Sequence, residues 1–490
     1  MNVSENVHRI FNPKSVAIIG ASRTIGKWGF TFANHLIQGK YKGDIYPVNP
    51  AGGDFLGLKI FPSIKDIPGT IDLAVILIPP PLVASAIAEC GEIGVPACIV
   101  ITAGFKEVGP DGEKMEEDII KVARAANITM VGPNCAGICS PDPMNLYCMI
   151  NPNFPSAGHI AVLSQSGNIA GSILHMFWKQ DIGISRCVSL GNQAMLTMED
   201  FMEYLIDDEQ TKVVIAYIEG VSDSNRFRDV AHRLSRVKPF IVVKGGQTAS
   251  GMQAAKSHTG AIAGSKAVFE GLCKQCGIIL VHDIEDMFDT AVALISQPLP
   301  SGNRVGILAM GGGWGVLTAD DCVKAGLDVV PLPDETRKVL DEKLPEWWNR
   351  QNPVDLVGGM SRGAFFKAAE ILCQCDAMDS IIVQGFGFNN PIAKILGSIP
   401  DEEGLNFSEY VKDALYSDMR GMNFILDLIK NYHKPVLVSS EFIVGADRDQ
   451  NEAVLALRRK NILVYPSSKR VAQVLARLVR YQQYLRLSDR

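Results

Sequence analysis

Three times along this chain a short apolar run stops in a knot of small residues and resumes as an amphipathic segment. That recurrence limits the possible folds more than any other feature. Residues 16–19 lead into Gly20-Ala21-Ser22-Arg23-Thr24-Ile25-Gly26-Lys27-Trp28-Gly29, residues 159–163 into Ser164-Gln165-Ser166-Gly167, and residues 304–309 into Gly311-Gly312-Gly313. An unbroken apolar run of four to six residues fits a strand buried on both faces, and helix-forming sequence after a tight turn fits a crossover to a parallel neighbour. Further strands are expected at 44–50, 73–78, 97–101 and 129–134, at 213–218 and 240–243, and at 352–359, 380–383 and 435–438. Strands alternating with helices at this spacing predict an α/β fold of three doubly wound parallel-sheet domains. Their expected bounds are 1–148, 149–298 (opening on the link Asn151-Pro152-Asn153-Phe154-Pro155) and 299–490. A basic amphipathic helix is expected from Ser467 onward, its Arg and Lys residues solvated.

Length and composition agree with this and exclude several classes. The 490 residues suit about three domains of ordinary size. A hydrophobic content of 47% with 45 glycines describes a folded α/β protein with many tight turns. The formal charge of −6 argues against a broad nucleic-acid or acidic-membrane surface. The N-terminal residues 1–15 lack the apolar core of a signal peptide, and no apolar run approaches the ~20 residues of a membrane span, so a cytoplasmic location is expected. Eleven cysteines, several in apolar stretches (Cys98, Cys187, Cys322), are expected as reduced core thiols. The single CxxC, Cys273 to Cys276, has no second pair at zinc-ribbon spacing, so no metal site is expected.

The turns carry the chemistry. Residues 20–29 resemble a dinucleotide-binding turn without its strict spacing, and Lys27 adds a charge that a pyrophosphate would use. A carboxylate that would hold an NAD ribose is missing where the second strand ends, at Val48-Asn49-Pro50, which counts against NAD. Ser164-Gln165-Ser166-Gly167 offers hydroxyls and amides at a helix start, a phosphate cradle, and Gly311, Gly312 and Gly313 offer a second one facing it. His258, in Ser257-His258-Thr259-Gly260-Ala261-Ile262-Ala263-Gly264-Ser265, sits where a phosphate could approach an imidazole closely. Glu219 ends an apolar strand, where a carboxylate would accept Nδ1–H of His258 and leave Nε2 as a nucleophile.

Taken together, these residues resemble the NDP-forming acyl-CoA synthetases, relatives of succinyl-CoA synthetase, and the α subunit of the ADP-forming acetate–CoA ligases in particular. The resemblance runs through residues 16–29 and 45–50, Ile78-Pro79, Gly132-Pro133-Asn134-Cys135-Ala136-Gly137, residues 164–167, Leu190-Gly191-Asn192, Ile218-Glu219-Gly220, residues 257–265 and 311–315, and residues 352–355. It implies a Rossmann-like CoA-binding domain followed by two flavodoxin-like ligase domains. It also implies that an acyl-CoA thioester is attacked by phosphate, that His258 takes the phosphoryl group as phosphohistidine with Glu219 holding the imidazole, and that ADP receives it. Gly20, Ala21, Ser22, Lys27, Gly29, Val48, Asn49, Pro50, Ile78, Pro79 and Thr102 would line CoA, and Asn134 would lie near the thioester. Ser164, Ser166, Gly167, Gly311, Gly312 and Gly313 would hold phosphate.

The chain departs from the family pattern in places. Ala170 and Gly171 stand where succinyl-CoA synthetases tend to carry a tyrosine, which implies a different or roomier acyl site. Trp314 replaces a smaller residue or proline, either walling a pocket or packing on the sheet, and Asn168 and Met195 put acetate itself in doubt. No segment supplies the ATP-grasp module that binds nucleotide and Mg²⁺, and residues 311–313 lack the P-loop pattern. The family reading therefore calls for a separate ATP-grasp β subunit, in an α2β2 assembly. A non-catalytic CoA or acyl-CoA sensor of the same fold is the alternative.

Overall fold

The run at residues 16–19 becomes strand β1 (Ser15–Ile19), whose five residues are all buried. In the computed structural model it pairs in parallel with β2 (Asp44–Val48) on one side. A small antiparallel hairpin of β3 (Gly53–Phe55) and β4 (Leu58–Ile60) follows. The other side of β1 takes β5 (Leu73–Ile76), and β6 (Ala97–Val100) and β7 (Thr129–Val131) extend the same parallel sheet in the order β2-β1-β5-β6-β7. The described residues are 3–248, 250–251, 266–356, 362–387, 389–401, 406–441 and 451–488.

The second sheet has seven strands, in the order β14-β13-β12-β10-β11-β8-β9. They are β8 (Gly137–Ser140), β9 (Leu146–Met149), β10 (Ala157–Ser164), β11 (Ile184–Ser189), β12 (Val213–Ile218), β13 (Phe240–Lys244) and β14 (Ile279–Val281). β10 through β14 are parallel, whereas β8 runs antiparallel to both β11 and β9. The β8–β9 hairpin departs from the expected all-parallel arrangement. All of it but Met149 lies within residues 1–148 of the sequence reading, yet it belongs to the second sheet. β11 holds it in part through Arg186, which is buried with Asp208 at 3.3 Å and donates to the Ser140 hydroxyl at 3.0 Å. Residues of both sheets, Val16 and Ile18 with Ala161 and Leu163, share one apolar core. Both sheets fall in one compact unit, Met1–Met287.

The second unit, Phe288–Arg490, has its own parallel sheet. Its strands are β15 (Val305–Ala309), β16 (Val354–Asp355), β17 (Ser380–Gln384), β18 (Val436–Ser439) and β19 (Val464–Tyr465), in the order β16-β15-β17-β18-β19. That is the doubly wound order in which the second strand lies outside the first. The expected terminal helix forms at Ser468–Ser488. Its charges are not all solvated, which corrects the sequence reading. Arg470 pairs with the carboxylate of Asp289 at 2.6 Å, and the buried Arg477 donates to the Thr290 hydroxyl at 3.3 Å. These two arginines draw two buried polar groups of the helix Ile284–Ser296 into ion-pair and hydrogen-bond partnerships, while Lys469, Arg480 and Arg486 stay exposed.

All eleven cysteines are buried free thiols. Burial pushes the Cys273 thiol up to about 12 and raises that of Cys276, which leaves the CxxC pair protonated at neutral pH. Among the described residues no helix is long and apolar enough to cross a membrane.

Candidate functional site

Because β1, β2, β5, β6 and β7 are parallel, their carboxyl ends lie along one edge, and the first set of expected ligand residues falls there. Gly20, just past β1, has φ +97°, and a Cβ on it would stand 2.7 Å from the carbonyl oxygen of Leu77. Gly29 allows still less, since its Cβ would be 1.9 Å from the carbonyl oxygen of Gly20. These two glycines let the helix Trp28–Gln38 start directly against the strand end. Gly26 differs: it has φ +91° and nothing within 4 Å of a Cβ, so its bare backbone faces open space. Lys27 is exposed at the N-cap of that helix, and Ser22 accepts from the Thr24 amide at 3.1 Å.

At the end of β2, the carbonyl of Val48 accepts from the amides of Gly20 and Ala21. Asn49 spends its side chain on the turns themselves. Its Nδ2 donates to Ala21 O at 2.7 Å and its Oδ1 accepts from Ala51 N at 2.9 Å, with Pro50 exposed between them. Pro79 caps the helix Pro80–Glu92, the Thr102 hydroxyl donates to Ile78 O at 2.7 Å, and the carbonyl of Thr102 accepts from Asn134 N at 2.9 Å. The expected residues from Gly20 to Asn134 thus share one edge, tied together by hydrogen bonds.

The second set stands at the carboxyl ends of β10 and β12, which are adjacent strands with Ser164 opposite Tyr217. Ser164 is buried, and its hydroxyl donates to Ser166 O at 2.7 Å while accepting from Ser166 N at 3.2 Å. It shapes the turn instead of facing a ligand. Ser166 is the N-cap of the helix Gly167–Lys179, accepting from Ile169 N at 3.4 Å, which leaves the first amides of that helix at the turn. Glu219 is half-buried just beyond β12. Burial and the neighbouring Glu219 carboxylate raise the Tyr217 phenol. Burial lowers the Lys244 ammonium, partly offset by Glu219, and Lys244 Nζ donates to Glu219 O at 2.8 Å. His258 and the rest of residues 252–265 lie outside the described residues.

The two edges meet. A Cβ on Gly167 would stand 2.8 Å from that of Ala136, so the phosphate-type turn abuts the segment carrying Asn134. Asn134 has φ +56°, and its Nδ2 donates to Asn192 Oδ1 at 3.3 Å. Sequence reasoning missed what stands behind that amide. Asn192 Nδ2 donates both to Glu107 at 2.6 Å and to Glu116 at 2.7 Å, and Lys106 Nζ donates to Asn192 O at 2.5 Å. Burial works to raise the Glu107 carboxyl, but donors from Asn192, Gly104 and Phe105 outweigh it and hold the group below the usual carboxylate range. The motif Leu190-Gly191-Asn192 was the only local hint. Of the different or roomier acyl site expected at Ala170 and Gly171, the roomier form does not hold, because these small residues open no space. Ala170 is fully buried, and a Cβ on Gly171 would be 2.2 Å from the Asn151 side chain, which fills the gap.

In the second unit, Gly311 caps the helix Gly312–Ala325 at the end of β15. A Cβ on Gly312 would meet the Asp355 carboxylate at 2.7 Å, one on Gly311 would meet the Trp314 ring at 3.6 Å, and one on Gly313 would meet nothing. Trp314 therefore lies across its own turn. Of the other departures, Asn168 is exposed and Met195 packs on the core of the first sheet.

Glycine turns at the carboxyl edges of doubly wound sheets place the chain in the class of α/β proteins whose strand ends are suited to phosphate-bearing ligands. Residues 14–141 match the family described as the CoA binding domain, and residues 157–294 match the succinyl-CoA ligase like flavodoxin domain. The chain is 39% identical over 376 residues to the ADP-forming acetate–CoA ligase II subunit alpha of Pyrococcus furiosus, covering 76% of this chain and 80% of that one. It is 40% identical over 380 residues to the ADP-forming acetate–CoA ligase I of Archaeoglobus fulgidus, covering 77% of this chain and 54% of the relative, so the match spans about half of that protein. Its fold superposes on the Candidatus Korarchaeum cryptofilum dinucleotide forming acetyl-coenzyme A synthetase 1, in complex with phosphate and ADP. The TM-score is 0.84 at 31% identity, covering 98% of both chains. The chain belongs to the NDP-forming acyl-CoA synthetase family, with the ADP-forming acetate–CoA ligases. These relatives are named as ligases or synthetases, and a non-catalytic sensor is not favoured.

Proposed function

We propose that this chain is the α subunit of an ADP-forming acyl-CoA synthetase. It interconverts acyl-CoA, phosphate and ADP with carboxylic acid, CoA and ATP. The observation that carries the reading is the contact of Gly167 with Ala136, because it sets an anion-type turn against the ligand edge that ends in Asn134. CoA runs along Gly20, Ala21, Ser22, Lys27, Gly29, Val48, Asn49, Pro50, Ile78, Pro79 and Thr102, with its thioester at Asn134. The bare backbone at Gly26 suits close approach by a pyrophosphate, and the charge of Lys27 stands beside it.

Phosphate is held at the amides of Ser166 and Gly167 and attacks the thioester carbonyl. The C–S bond breaks, leaving acyl phosphate and free CoA. His258 Nε2 then takes the phosphoryl group from the acyl phosphate, releasing the carboxylate, while Glu219 accepts the Nδ1 proton's hydrogen bond and stabilises the cationic ring. Gly311, Gly312 and Gly313 provide a second phosphate-binding turn. ADP and Mg²⁺ bind to an ATP-grasp β subunit in an α2β2 assembly. The name of the Pyrococcus relative, a subunit alpha, supports the partner.

The test is labelling with γ-labelled ATP and Mg²⁺ in the presence of an ATP-grasp chain, with wild type compared with His258→Ala. Label on wild type that is absent from the variant is expected. A wild-type chain that stays unlabelled beside a competent partner would overturn the reading.

A further inference from the structure

Gln165 sits between the two serines of the phosphate-type turn, yet its side chain is not directed at that turn. Its Oε1 accepts from two successive backbone amides, Glu219 N at 2.5 Å and Gly220 N at 3.0 Å, and its Nε2 donates to Gly220 O at 2.8 Å. Its own amide donates to Tyr217 O at 3.2 Å, continuing the pairing of β10 with β12 past the strand ends. From the other side, Lys244 Nζ donates to Glu219 O at 2.8 Å and to Gly245 O at 2.5 Å. Both polar groups of the Glu219 backbone are thus held by side chains from the two flanking strands. A carboxylate at a strand end would otherwise ride on a free loop.

We infer that Gln165 is a positioning residue that fixes Glu219 at a set distance from the phosphate-binding turn. The inference rests on the proposed function, in which Glu219 orients His258. One amide side chain bridges the turn that holds the phosphoryl group and the backbone that carries the orienting carboxylate, so a shift in either is passed to the other. Near-attack geometry is sensitive at this scale, and a misplacement of about 1 Å can cost on the order of 100-fold in rate.

The experiment is the initial rate of phosphohistidine formation from ATP and Mg²⁺ in the full chain with its ATP-grasp partner, for wild type, Gln165→Leu, Glu219→Gln and the double variant. Each single variant is expected to be slower by about 10- to 100-fold. The double variant is expected within about threefold of the slower single, because residues acting through one group do not add. Losses that multiply, or a Gln165→Leu rate within about twofold of wild type, would overturn the inference while leaving the function intact. A Glu219→Gln variant at the wild-type rate would sink the function reading, and the inference with it.

Gln165→Glu covers the case in which Gln165→Leu does not fold. It keeps an acceptor for both amides but turns a carboxylate oxygen toward Gly220 O, and only its protonated form can donate there. Its rate is expected to be at least about 10-fold below wild type throughout pH 6 to 8, because the side chain stays ionised there and cannot donate to Gly220 O. A rate within about twofold of wild type would overturn the bridging role.

Discussion

Gly29 shows how little room a ligand turn can leave for change. Its would-be Cβ meets the carbonyl oxygen, carbonyl carbon and Cα of Gly20 and Ala21 within 3.0 Å, and all three are backbone atoms that no rotamer change can move aside. Gly29→Ala is expected to cost about 1–3 kcal/mol or more as the helix is pushed off the strand end, with weakened CoA binding. Gly271, exposed in the helix Lys266–Cys276 with nothing within 4 Å of a Cβ, makes the opposite case. Gly271→Ala is expected to stabilise by about 0.5–1 kcal/mol. Urea unfolding of the two variants with unchanged m-values checks both signs. An unaffected Gly29→Ala would show that the turn yields.

At the scale of elements, the sheet of the second unit is pinned at the amino ends of β15 and β17. Asp379, just before β17, accepts from Arg304 N at 3.0 Å, Arg304 Nε at 2.9 Å and Ser301 Oγ at 2.6 Å. The Arg304 guanidinium, with these further donors, holds the Asp379 carboxyl at about 2. A depressed carboxyl contributes stability that is complete above its unfolded value near 4 and is lost as pH falls through the folded value near 2. With the half-exposed Arg304 partly screened, the contribution is about 1–2 kcal/mol. Asp379→Asn should lose that much at pH 7, and its gap to wild type should narrow to roughly half by pH 3. Denaturant midpoints at the two pH values measure it, and a gap unchanged at pH 3 would contradict the pairing.

The same scale shows which elements could be read in advance. The runs at residues 16–19, 73–78, 97–101 and 305–309 are apolar on both faces because both faces are covered, and such runs announce themselves. β11 (Ile184–Ser189) does not, because Arg186 interrupts it and becomes tolerable inside through partners such as Asp208 and Ser140, 22 and 46 positions away. The β8–β9 hairpin has its turn residues, Pro141-Asp142-Pro143, but its sheet is decided by a pairing with β11 that no local pattern encodes.

For the whole molecule, the strand-end edge that gathers the expected ligand residues was legible and its supports were not. Gly20, Asn49, Thr102 and Asn134 could be placed because strand ends collect binding residues in parallel sheets. Glu107, Glu116 and Gln165 could not, since their roles depend on partners 54 to 85 positions away. The chain divides at residue 287, and every expected CoA contact falls before it. Calorimetric unfolding of the intact chain is therefore expected to show CoA at about 100 times its Kd raising the transition of the Met1–Met287 unit, by about 2.7 kcal/mol of added stability. The transition that Asp379→Asn lowers should not move with it. A CoA shift confined to that second transition would relocate the ligand.

The β8–β9 hairpin also sets a schedule for synthesis. Met149 leaves the ribosome forty residues before Ser189, the end of the strand on which the hairpin docks. At ordinary translation speeds of 5–20 residues per second, that edge of the hairpin waits unpaired for about 2 to 8 s. During that interval Ile138 and Cys139 lack the strand partners Val188 and Cys187 that later pair with them. The second sheet is thus begun from its outer rim, and the nascent chain must keep that rim from finding another strand until its own arrives.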